Sequence, residues 1–123
     1  MTREEVIIRL AQNVVYLNGQ LSANIAVILP NYAETKLFST DLYNKLSEVP
    51  AWLDVEIARK TTKVCEWGGS KILFAHNPIH LKGYSLDCIY RSKRALTQAG
   101  NQDLEYFNFL SAITGQRVID FAD

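Results

Sequence analysis

Cysteine is scarce: Cys65 and Cys88 are the only two in 123 residues, and they form no C-x-x-C pair. That excludes the common zinc modules and a disulfide-stapled scaffold, and two reduced thiols are expected. Net charge is absent as well. Thirteen Lys and Arg balance thirteen Asp and Glu, so nothing draws the whole molecule toward a polyanion. No apolar run approaches the roughly twenty residues that span a bilayer. The opening MTREEVIIRL carries two glutamates and no signal-peptide apolar core, so a soluble cytoplasmic chain with no membrane contact is expected.

Several catalytic signatures are also missing. There is no G-x-S-x-G elbow and no G-x-x-x-x-G-K-[ST] phosphate loop. Glu56 and Lys60 lack the D…E-x-K spacing of a common nuclease site. His76 and His80 have helical i,i+4 spacing, but Pro78 stands between them and no acid or thiol flanks them. Two ordinary histidines in a turn are expected there, with no metal and no cofactor.

What is present is the pattern of a single folded α/β domain. Hydrophobic residues make up 48%, too many for a disordered chain. Thr2 and Glu5 have capping-box spacing, and Val6, Leu10, Val14 and Leu17 recur at helical intervals, predicting a helix over about 3–18 that stops at Asn18-Gly19. Asn24 to Leu29 is continuously apolar and closed by Pro30-Asn31, the mark of a strand buried on both faces. Phe38, Leu42 and Leu46 line one face of a second helix, about 33–49, ended by Pro50. Gly68-Gly69-Ser70 between two apolar runs predicts a β-hairpin over about 55–75. A strand over 86–90, a polar basic loop over 91–101, a helix over about 102–114 and a last strand over 117–121 complete the reading. Strands separated by helices imply a parallel sheet with helical crossovers.

In order, these pieces resemble a known family. Trp67-Gly68-Gly69-Ser70-Lys71-Ile72 resembles the "NGS-x-I" hairpin of large terminase subunits, the ATPases that pump DNA into viral capsids. Leu81 to Tyr90, with Gly83-Tyr84-Ser85, resembles that family's "h-R-G-x-S" segment leading into the Walker B strand. Asn24 to Asn31 resembles the second core strand with its "ILAPN" ending, and Ala51-Trp52-Leu53 the "LP-x-W/F-L" close of the following helix. The resemblance implies a truncated RecA-like, P-loop-type three-layer α/β domain with a short parallel sheet.

It also implies a site. The family needs a phosphate loop, a Walker B aspartate for Mg²⁺ and an adjacent glutamate to activate water. By its spacing, Ser92 replaces the aspartate and Lys93 the glutamate, and the chain begins in the helix that follows the phosphate loop. These departures lead to the expectation of a phage-type protein that is not an enzyme and acts by protein binding, as a regulator or mimic of the packaging motor or a binder of a host or defence factor. In the family's sheet the phosphate-loop strand pairs with the strand corresponding to 117–121. Arg117, Val118, Ile119 and Phe121 are therefore expected to form an open edge for a second copy or another protein. Lys60, Lys63, Lys82, Arg91, Lys93 and Arg94 are candidate contacts for phosphate or an acidic partner. A nucleic-acid-binding module using Lys60 and Lys93 is a second reading, against which the zero net charge weighs. An enzyme fragment completed in trans is a third, against which Lys93 argues.

Overall fold

The first helix starts where Thr2 caps it. Thr2 Oγ1 accepts from the Glu5 backbone N–H at 3.2 Å and donates to Glu5 Oε1 at 3.2 Å. In the computed structural model, which describes residues 1–16, 23–48, 57–81, 83–98 and 117–122, α1 runs Arg3–Tyr16. Its stripe of Val6, Ile7, Leu10 and Val14 is buried. The predicted stop at Asn18-Gly19 lies outside the described residues.

A second helix, α2 (Tyr32–Ser47), is capped by Asn31, whose side chain accepts from the Glu34 N–H at 2.9 Å. Phe38, Leu42 and Leu46 are fully buried along it. Ion pairs fasten α2 to α1: Arg3 to Asp41 at 2.7 Å and Lys45 to Glu4 at 3.5 Å.

The strands are β1 (Asn24–Ile28), β2 (Ile57–Lys60), β3 (Val64–Trp67), β4 (Ser70–Ala75), β5 (Cys88–Ser92) and β6 (Arg117–Phe121). They form one sheet in the order β2-β3-β4-β1-β5-β6. β1 pairs in parallel with β4 and β5, and β5 in parallel with β6. β2, β3 and β4 form an antiparallel meander, joined between β3 and β4 by Gly68 and Gly69 at φ 47° and 81°. Both angles are positive, so glycine is the residue that fits each without strain.

The continuous apolar run of β1 has the expected cause. Ile25, Val27 and Leu29 pack on the side of α1 and α2, while Ala26 and Ile28 pack on the opposite side with Leu81, Leu86 and Ala95. Each large side chain withdrawn from water in this way contributes about 1.5–3 kcal/mol. The sheet thus lies between two apolar layers, as a three-layer α/β domain requires.

The strand expected over about 86–90 is present as β5 at Cys88–Ser92, beginning two residues later because Asp87 is taken up in closing the loop: its carboxylate accepts from the Asn24 N–H at 2.8 Å. One expectation is corrected. The segment expected to be a polar loop after residue 90 is the end of β5 followed by a short helix, α3 (Lys93–Gln98). Ser92 Oγ accepts from the Arg94 N–H at 3.2 Å and Ala95 is buried, which together start that helix. The turn holding the histidines contains a 3-10 helix at Pro78–Leu81. The helix expected at 102–114 lies outside the described residues.

Candidate functional site

Parallel strands deliver their carboxyl ends to one side of a sheet, and crevices there are where such folds bind ligands. Two places on this side carry chemistry, separated by β1.

The first is the corner where β5 and β6 end. Arg91 and Asp120 are register partners across the two strands. Arg91 Nε lies 2.7 Å from Asp120 Oδ1 and Nη2 lies 3.4 Å from Oδ2, a two-pronged ion pair in a half-buried setting. Ser92, expected in place of the Walker B aspartate, is fully buried at the tip of β5. Lys93 begins α3 and is exposed. Arg94 is exposed and reaches Glu34 at 3.1 Å. The basic cluster read from the sequence is therefore a set of ion pairs joining β5 to β6 and α3 to α2. The acidic members, Asp120 and Glu34, are distant along the chain from the basic residues they meet.

The margin of the sheet beyond β6 begins here too. Among the described residues no strand follows β6 in the order, but Thr2 forms an isolated parallel bridge with Ala122. Ala122 donates to Met1 O at 2.9 Å and accepts from the Arg3 N–H at 2.8 Å. Backbone groups alternate along a strand. The N–H and C=O of Val118 and Asp120 therefore face the same outer side as those of Ala122. Val118 and Ile119 are half-buried, whereas Phe121 is fully buried against Phe38, with ring centroids 6.1 Å apart. Phe121 is thus a core anchor rather than part of an exposed apolar edge.

The second place is a crevice of about 340 Å³ where β1 and β4 end. Lys63, in the β2–β3 turn, lies on its rim with Arg59, His76 and His80, none of them near the corner described above. The rings of His76 and His80 lie 5.1 Å apart, edge to face, and Tyr32 meets His76 at 5.9 Å. Burial first, then the charges of His80 and Lys63, hold the His76 imidazole below its ordinary pKa. Lys60 points elsewhere, its Nζ 5.3 Å from the Tyr43 ring centroid. Lys82 lies outside the described residues. No cluster of three or more potential metal ligands occurs among the described residues. Cys65 is buried, its thiol pushed up to about 12 chiefly by that burial, and Cys88 is half-buried; neither is in a disulfide. No described helix is long and apolar enough to cross a membrane.

No family model matches this sequence, and no curated protein matches it. Solved structures do. The ATPase domain of the large terminase of Thermus phage P74-26 superposes with a TM-score of 0.64 at 10% identity, covering 98% of this chain and 54% of that one. An arginine-to-alanine mutant of the same domain gives a TM-score of 0.55 at 10% identity, covering 97% and 54%. These structures overturn the expectation of a non-enzyme drawn from Ser92, Lys93 and the missing phosphate-loop motif, because the fold they share with this chain is that of an ATPase domain. The chain spans about half the length of those domains, and over that span it has the fold of a phage large terminase ATPase domain.

Proposed function

We propose that this chain acts by protein binding as part of a terminase-type packaging motor, and that its partner is a strand added along β6. The observation supporting this reading is the outer side of β6. Val118 and Asp120 direct backbone donors and acceptors away from β5, in line with the pairing that Ala122 already makes with Met1 and Arg3. A sheet edge of this kind is a template for another strand. In a P-loop-type sheet the strand at that position carries the phosphate loop. Its loop would then arrive beside Thr2 and the Ser92–Lys93 corner.

The test uses the intact chain and a synthetic peptide containing the phosphate-loop strand of a large terminase. Binding is expected to slow hydrogen exchange at the Val118 and Asp120 amides. Val118→Pro removes an N–H on the outer side without taking one from the β5 ladder, so it should weaken the peptide at least tenfold while leaving the fold intact. Absence of protection at those amides, or peptide binding unchanged by Val118→Pro, overturns the proposal. Dimerisation of the chain alone that V118P abolishes would instead give the edge to a second copy.

A further inference from the structure

β1 and β4 end side by side, with Ile28 opposite Ala75. Beyond that point the chain diverges: one branch enters α2 at Tyr32, and the other passes His76 into the 3-10 helix. The antiparallel neighbour of β4 begins at the same level, since the Phe74 N–H donates to Lys63 O at 2.9 Å. Three backbone routes thus leave a crevice between them. Its volume falls within the roughly 300–1,000 Å³ typical of small-molecule sites.

The walls have two characters. The floor is apolar, made by Val64, Leu73, Phe74, Ala75 and Leu81. The rim is basic and aromatic. Arg59, Lys63, His76 and His80 line it, and no carboxylate is among the described lining residues. Arg59 lies 4.0 Å from Glu66. The first turn of α2 also borders the crevice through Tyr32 and Thr35, and a helix of sixteen residues adds partial positive charge there. Tyr32 and Tyr84 are exposed at the rim; His76 meets Tyr32 edge to face, and Lys71 Nζ lies 5.5 Å from the Tyr84 ring centroid. Lys63, His76 and His80 line the same rim, so an anion among them would meet an ammonium and imidazole donors.

We infer that this crevice binds a small phosphate ester bearing a flat ring, of the nucleoside monophosphate class, with the phosphate among Lys63, His76 and His80 and the ring against the tyrosines. Lysine supplies a point charge and the imidazoles supply donors to phosphate oxygens. Ring stacking on a tyrosine is tolerant of the base. The site is separated by β1 from the β5–β6 corner, so it does not depend on what pairs with β6.

The experiment is a histidine-detected NMR titration of the intact chain with AMP, adenosine and inorganic phosphate. AMP should shift the ring signals of both His76 and His80 saturably, with a Kd tighter than about 1 mM. Adenosine and phosphate alone should each bind at least tenfold more weakly. Lys63 and His76 are exposed, so Lys63→Gln and His76→Gln should keep the thermal melt of the parent while weakening AMP at least fivefold. The inference is overturned if AMP leaves both histidines unmoved, or shifts only the Arg91–Arg94 corner. It is equally overturned if Lys63→Gln binds as the parent does or if bare phosphate binds as well as AMP. Displacement of AMP by a single-stranded oligonucleotide at a hundredfold lower concentration would reassign the crevice to nucleic acid.

Discussion

Asp120→Ala isolates what holds β6 to the sheet. Asp120 stands opposite Arg91 and grips it with both oxygens, at 2.7 Å and 3.4 Å. The Arg91 side chain is only 12% exposed and that of Asp120 is 35% exposed. A surface pair would contribute at most about 1 kcal/mol, while breaking a fully buried pair costs about 3–5 kcal/mol because a charge is stranded. This pair lies between those limits: water reaches the acid but scarcely reaches the guanidinium. Removing the acid should therefore cost about 2 kcal/mol. In a domain of this size that lowers Tm by roughly 8 °C. Urea denaturation of the single variant gives the cost directly. The double variant R91M/D120L removes both charges and replaces them with apolar volume, so it should recover most of the loss. A cost below about 0.5 kcal/mol for Asp120→Ala, or a double variant as unstable as the single one, would refute the claim that a stranded charge sets the penalty.

Two further expectations follow from other residues. Phe121→Ala empties a fully buried position against Phe38 and should cost about 3–5 kcal/mol in chemical denaturation; a loss under about 1 kcal/mol would mean that β6 is not anchored in the core. Burial is the main cause of the lowered His76 pKa and Lys63 adds to it, so in Lys63→Gln an NMR pH titration should show that pKa rising part of the way toward the ordinary histidine value, and no rise would remove Lys63 from its neighbourhood.

Local pattern made part of this molecule legible. The unbroken apolar run at residues 24–29 announced a strand covered on both faces, and Ile25 and Ala26 do pack into opposite layers. Gly68-Gly69 announced a hairpin because only glycine takes two successive positive φ angles cheaply.

The misreadings have a common physical origin in partners distant along the chain. Arg91 looked like the start of a solvated loop, since nothing nearby answers its charge; the acid that does so is 29 residues away. Phe121 looked like one face of an exposed strand, because α2, which supplies Phe38 to cover it, is remote in sequence. The crevice residues Tyr32, Arg59 and Tyr84 share no motif and meet only after the sheet forms. Likewise, absent motif residues argued against an enzyme, whereas likeness of fold to an ATPase domain lies in the strand order and is present at 10% identity.

The position of β1 has a consequence for the order in which the chain acquires structure. Every strand that pairs with β1 is made after it: hydrogen bonds at its amino end join residues separated by 47 and by 63 positions. The β3–β4 hairpin, closed by two glycines, needs no distant partner and can form within about 1–10 μs. Loop closure must precede any pairing by the central strand. The most deeply buried strand is therefore synthesised early and satisfied late, and until β4 and β5 emerge its apolar side chains have no sheet to shelter them.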